Sequence, residues 1–142
     1  MNTHDSDFYN WTQEQATLLR TGRIAELDID NLIDEIEDMG RSEKRELENR
    51  LSLLLAHLLK WQYQITHRGK SWHATIKEQR LSLLELLADN PSLRHILAER
   101  TANAYQHGIL QAVRETGIDE NDFPARCPYT ITEILDLAFY PH

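Results

Sequence analysis

Seven histidines, one cysteine and a dense run of carboxylates are the residues of this 142-residue chain that could do chemistry. A metal held on one helix face needs ligands three or four positions apart, as in H-x-x-x-H, H-E-x-x-H or E-x-x-H. None of these patterns occurs. His67 and His73, or His57 and His67, have the wrong separation for one face, and His57, His73 and His107 meet only if three helices bring them together. No metal and no cofactor is expected. Cys127 precedes Pro128 in a loop-like stretch, without the helix start or neighbouring base that generates a reactive thiolate. No G-x-S-x-G elbow, P-loop or Gly-rich dinucleotide signature is present, and no catalytic residue is assigned. The carboxylates of "LIDEIEDMG" fall on the water side of an amphipathic helix, where such a run makes a hydrated or partner-facing surface rather than an acid–base pair.

Charge is unevenly spread. The net charge is −8, yet residues 60–80 carry five Lys or Arg against one Glu. This strip, within "HLLKWQYQITHRGKSWHATIKEQR", also holds Trp61, Tyr63 and Trp72. Nucleic-acid binding wants aromatics interleaved with cations on one exposed face. Here Trp61, Ile65, Trp72 and Ile76 fall on inward stripes, while Tyr63, Lys60, Arg68 and Lys70 face outward. The strip therefore reads as a helix–turn–helix corner with a basic outer surface. An acidic chain is repelled by phosphate backbones at long range, so nucleic acid is not an expected partner.

The elements that position these residues are helices. Apolar residues recur at helical spacing nearly everywhere, and no alternating strand of convincing length appears. The spacing predicts a first helix over about 7–21, capped by Asp5 or Ser6 and ended by Gly22, with Phe8, Trp11, Leu18 and Leu19 inward. A second runs over about 30–39, with Leu32, Ile33 and Ile36 inward and Gly40 as its stop. A third covers about 42–66, where Leu47, Leu51, Leu54, Leu58, Trp61 and Ile65 make a seam at spacings of four and three. Ser71 caps a fourth over about 72–88. Asn90 and Pro91 open a fifth that ends before Gly117. Thr130 and Glu133 form a capping box at the start of a short last helix.

The expected architecture is all-α: one helical domain over 1–142, a bundle of about six helices with three or four long ones in the core. Within it, residues 1–6 are expected to be a flexible N-terminus, 117–129 loop-rich and 130–139 the last helix. The length suffices to bury roughly two-thirds of the unfolded surface. The apolar run from Leu51 to Leu59 is far short of the roughly 20 residues that span a bilayer, so no membrane association is expected. The opening "MNTHDSDFYNW" is not a secretory signal. A single cysteine suggests a reducing compartment, the cytoplasm.

The segments "DFYNWTQEQATLLRTGR", "ELDIDNLIDEIEDMGRSEKRELENRLSLLLAHLLKWQYQ", "SWHATIKEQR" and "CPYTITEILD" resemble the bacterial family of domain of unknown function 29, common in cyanobacteria. The resemblance runs in order over nearly the whole chain and implies a small all-helical bacterial protein. It implies no activity, cofactor or catalytic residue.

Two places merit attention as sites. On a wheel of 100° per residue, Gln79 interrupts an apolar row of the fourth helix, with Arg80 on its flank. On the fifth helix Leu93, Leu97, Arg100, Ala104, His107 and Gln111 share a stripe that turns polar. If these helices are antiparallel neighbours, His57, Gln79, Arg80, Arg100 and His107 line one polar pocket, either a site for a small anion or nucleotide or an internal hydrogen-bond network. The second place is a partner surface: Asp34, Glu35, Glu37 and Asp38 on the acidic helix, and Lys60, Tyr63, Arg68 and Lys70 at the basic corner. Its opposite charges suit a protein partner or self-association, the acidic helix of one copy against the basic corner of another. The reading placed first is a cytoplasmic protein-interaction or regulatory module. Anion binding is second, and nucleic-acid binding through residues 60–80 is third.

Overall fold

The computed structural model describes residues 3–142, and among them there is no strand. Six α-helices follow one another: α1 (Thr3–Ser6), α2 (Phe8–Arg20), α3 (Ile29–Tyr63), α4 (Lys70–Asp89), α5 (Leu97–Thr116) and α6 (Ile131–Leu135). Short 3₁₀ segments intervene at Ile24–Glu26, Ile65–His67, Pro91–Ile96 and Glu120–Asp122. No helix is long and apolar enough to cross a membrane. Backbone contacts group the chain into two compact units, 1–42 and 43–142.

Several ends form as the local chemistry requires. Asp7, rather than Asp5 or Ser6, caps α2 by accepting from the Asn10 amide. Gly22 and Gly117 take the left-handed conformation (φ 73° and 75°) that stops a helix and that only glycine adopts without strain. The capping box of Thr130 and Glu133 is present in full. Other expectations are corrected. Pro91 opens a 3₁₀ turn, so α5 proper starts at Leu97. The last helix spans only Ile131–Leu135, and Gly69 stands at the N-cap of α4 in place of Ser71.

The largest correction lies at Gly40. Two helices were expected to meet there, yet α3 runs unbroken for 35 residues. Gly40 does not have a positive φ, and a side chain added there would meet nothing. A glycine inside a helix costs roughly 0.5–1 kcal/mol relative to alanine, too little to end one whose neighbours favour it. Arg41 bridges Glu37 and Asp38 across that turn, which supports continuity.

In the first unit, His4 Nε2 meets Glu35 at 2.7 Å, and its ring packs edge-on against Phe8 and Trp11. Trp11 donates its indole N–H to Asp28 at 2.9 Å, and Gln15 accepts from the Asp28 amide. The flexible terminus expected for residues 1–6 lies outside the described residues at positions 1 and 2, while Thr3–Ser6 form a helical turn. Only Trp11 and Gln15 are buried here among the described residues; Phe8, Leu19, Ile33 and Ile36, expected inward, are exposed. Two short helical pieces and one long one offer too few neighbours to cover every apolar stripe.

The second unit carries the hydrophobic core. Leu47, Leu51, Leu54, Leu55, Leu58 and Leu59 of α3 meet Ile76, Leu83 and Leu87 of α4 and Leu97, Ala104, Tyr105, Ile109 and Ala112 of α5. Gly108 lets α5 touch the α3 backbone: a Cβ there would stand 3.1 Å from the Ser52 carbonyl oxygen. Trp61 is half-buried at the edge of the cluster and Ile65, beyond the helix end, is exposed. Tyr105 donates to the Pro124 carbonyl at 2.6 Å and Tyr129 to Gln62 at 2.7 Å, which ties the 117–130 segment to the bundle.

Two outcomes follow from these elements. Gly40→Ala is expected to raise stability by about 0.5–1 kcal/mol in chemical denaturation, since the helix passes through this position. A left-handed stop at Gly40 would instead make the substitution destabilising. The second concerns His4, whose pKa is raised above its ordinary 6.5 by the hydrogen bond to Glu35, then by that to Asp5. The stabilisation is therefore complete below pH 6.5 and is lost as pH rises through the higher folded-state value. Amide exchange in residues 3–11 should accelerate over that window, and His4→Ala should abolish the pH dependence.

Candidate functional site

Of the residues expected to share a polar pocket, His57, Gln79, Arg80 and Arg100 have separate partners. Arg80 is fully buried and faces the C-terminal segment: Nε donates to the Ile134 carbonyl at 2.8 Å, Nη1 to Phe139 at 2.7 Å and Nη2 to Glu133 at 3.2 Å. Its guanidinium also lies 5.5 Å from the Tyr140 ring centre and 6.0 Å from that of Phe139. Burial pushes its pKa down from its ordinary value, and the carbonyl dipoles stand where a carboxylate would otherwise be needed. Gln79 is buried and accepts from Arg50 at 3.2 Å. Arg100, half-buried, pairs with Glu48 at 3.6 Å.

His57 is buried with Nδ1 2.9 Å from the Leu53 carbonyl, which can only accept and so fixes the proton on that nitrogen. Desolvation lowers the pKa of its ring, and the carbonyl bond opposes this. His107 is exposed. The expected α5 stripe is corrected by rotation. Leu97, Thr101, Ala104, Tyr105, Gly108, Ile109 and Ala112 define the buried face, and its centre lies about 100–120° from Arg100 and His107 at 100° per residue. Close approach at Gly108 sets that rotation, because small residues must face the α3 backbone.

The basic corner is corrected as well. Lys60, expected outside, is buried and donates to Glu115 at 2.8 Å, with its ammonium 4.8 Å from the Trp72 ring centre. Burial raises the Glu115 pKa, but the Lys60 bond and charge outweigh it and hold the carboxyl below its ordinary value. Arg68 donates from Nε to the Trp61 carbonyl at 2.6 Å and from Nη2 to that of Pro141 at 3.3 Å. Tyr63 is exposed, edge-on to Phe123, and Lys70 is exposed. Trp61, Arg68, Gly69, Lys70 and His73 line an open cleft of about 370 Å³. Tyr140 stacks on His73 at 5.0 Å and packs on Trp61 at 4.9 Å. Residues 140 and 141 join this corner from the far end of the chain, and no local pattern signals that.

A second cleft in the same unit, of about 390 Å³, is lined by Glu43, Glu46, Glu85 and Asp89 with Arg50. No group of three or more His, Cys, Asp or Glu able to hold a metal occurs among the described residues. Burial raises the Cys127 thiol pKa, the opposite of what a nucleophile needs. On the acidic helix, Asp34 is exposed, Glu37 and Asp38 pair with Arg41, and Glu35 is half-buried against His4.

A family profile described as domain of unknown function DUF29 matches residues 3–140. The chain belongs to the DUF29 family. No curated protein and no solved structure matches it. The family brings no assigned chemistry, so the roles of residues in this DUF29 chain rest on geometry alone.

The Arg80 arrangement generates a direct expectation. Arg80→Met in the DUF29 chain strands three carbonyls and should cost roughly 3 kcal/mol or more by denaturant titration. Amide exchange should rise first in 131–141. Arg80→Lys should fail to rescue, because an ammonium cannot present a planar fork to acceptors on three residues.

Proposed function

We infer that this protein is a protein-interaction module, and that its first unit docks a basic amphipathic helix of a partner. One observation carries the reading: the helix face of Ile29, Ile33, Ile36 and Met39 is left 49%, 47%, 62% and 64% exposed. With the half-buried Leu32, these residues span an arc of about 120° at 100° per residue, the width of a face that helices normally bury. Contiguous exposed aliphatic surface of this kind marks an interaction site. Asp30, Asp34 and Glu37 flank the arc, and residues 1–42 hold ten carboxylates against three cations. That rim suits a partner whose apolar stripe is edged with Lys or Arg.

A second copy fits the surface less well. Its own acidic helix would bring like charges together. Its basic corner offers few mobile cations, since Lys60 is committed to Glu115 and Arg68 is held in place by two carbonyls. The same depletion weakens the nucleic-acid reading. Of the five cations in residues 60–80, Arg80 is also enclosed, leaving only Lys70 and Lys77 without a protein partner among the described residues. The single cysteine, its thiol pKa raised by burial, supports a reducing, cytoplasmic setting.

The test is calorimetry with the full chain and a synthetic helix bearing Leu at i, i+3, i+4 and i+7 edged with Lys. Saturable binding is expected, weakening as salt shortens the Debye length below about 8 Å. Ile36→Asp, at an exposed position, should leave the melting temperature unchanged and lower affinity about tenfold or more. Absent binding, or binding indifferent to Ile36→Asp, overturns the reading. A dimer in sedimentation that Ile36→Asp dissolves would assign the face to a second copy instead.

A further inference from the structure

At the cleft of the α3–α4 corner cations gather, and no carboxylate is among the residues that line the wall. Its five lining residues are Trp61, Arg68, Gly69, Lys70 and His73, and its volume of about 370 Å³ falls within the roughly 300–1,000 Å³ of small-molecule sites. The surrounding strip, 60–80, is net positive in a chain of net charge −8. Internal partners absorb Lys60 and Arg80, and of the three cations that remain in the strip Arg68 and Lys70 line this cleft, while Lys77 does not.

The cations are held differently. Arg68 is anchored: two of its nitrogens donate to the Trp61 and Pro141 carbonyls, and its guanidinium stands 5.2 Å from the Trp61 ring centre. Its Nη1 has no acceptor among the described residues. Lys70 is exposed with no ion-pair partner among the described residues, and reaches the same cleft on a flexible stem. His73 is fixed by its parallel stack on Tyr140, 5.0 Å apart and 8° from coplanar. A preset planar donor beside a mobile ammonium can engage different oxygens of one dianion. The indole and imidazole supply flat apolar walls. The open start of α4 at Lys70, where Gly69 provides no side-chain cap, adds to a field that the side chains already set.

We propose that this cleft binds a small phosphate monoester carrying a planar ring, of which a nucleoside monophosphate is the simplest example. A phosphate fits better than a carboxylate because its terminal oxygens can meet Arg68 and Lys70 together. A free nucleotide fits better than a nucleic acid because two cations in one cleft neutralise one phosphate and do not track a backbone. This site is independent of the helix-docking face, so either can fail without the other.

The test titrates the full chain in low salt with adenosine monophosphate, inorganic phosphate and adenosine, followed by calorimetry and amide shifts. Saturable millimolar or tighter binding of adenosine monophosphate is expected, with shifts at residues 68–73 and at the Trp61 indole. Lys70→Glu should lower its affinity about tenfold or more, since it reverses a charge at the phosphate. His73→Ala should weaken the nucleotide more than inorganic phosphate. Both residues are exposed, and unchanged melting temperatures separate these effects from unfolding. No saturation at millimolar nucleotide, or binding indifferent to Lys70→Glu, overturns the proposal. Equal affinity for inorganic phosphate or for adenosine removes the composite ligand and overturns it too. A phosphoserine peptide that binds more tightly than the nucleotide would assign the cleft to a protein partner and overturn the small-molecule class.

Discussion

A guanidinium removed from water must find acceptors at once, and around Arg80 the second unit closes on that requirement. The side chain is fully buried on α4, and the groups that satisfy it are backbone carbonyls of Glu133, Ile134 and Phe139. Two of these belong to the last turn of α6, where the Glu133 carbonyl also accepts from the Asp136 amide. Cation and helix end meet there, with the negative end of the short helix facing the charge. The same arrangement brings Tyr140 against Trp61 and His73, and Pro141 within reach of Arg68. The shape of the surface cleft follows from a buried charge some distance away in sequence.

The contact at Gly108 sets the rest. Where α5 touches the α3 backbone, its buried face has to be built from Ala104, Gly108 and Ala112, with Tyr105 beside them. Helix rotation then follows from the smallest residues rather than from the centre of the apolar stripe. His107 turns out to solvent as a result, and Arg100 moves to the edge of the buried face, where it meets Glu48. What the packing leaves open at the surface is the face of Ile29, Ile33, Ile36 and Met39 and the cleft beside Trp61.

Charge in this molecule is easily misread from its distribution along the chain. The strip 60–80 is the most basic part of the sequence, but Lys60 neutralises Glu115, and Arg80 and Arg68 are held by backbone carbonyls. A long cation buries its stem against apolar surface and carries its charge to whatever acceptor lies at the end. The acidic residues of the first unit behave differently. Apart from Asp28, which Trp11 and Asn31 engage, and Glu35, which His4 engages, most stay in water beside aliphatic side chains that have no cover.

The sequence by itself determined the all-helical class, the core seam of Leu47, Leu51, Leu54 and Leu58, the glycine stops at Gly22 and Gly117, and the capping box at Thr130. Each of these is a local property, decided by residues within one or two turns of each other. Gly40 was illegible because a single glycine is ambiguous between a stop and a passage: the cost of keeping it in a helix is small beside what its flanking turns contribute. The polar pocket was illegible because a wheel gives the separation of residues on one helix but not the rotation of that helix against its neighbours. That rotation came from Gly108 against Ser52, a contact across 56 positions of sequence. The partners of Arg80, Lys60 and Arg68 lie 53 or more positions away, except the Trp61 carbonyl. Only tertiary structure decided which cations would be spent inside, because burial makes a charge take the nearest acceptor in space, whatever its distance along the chain.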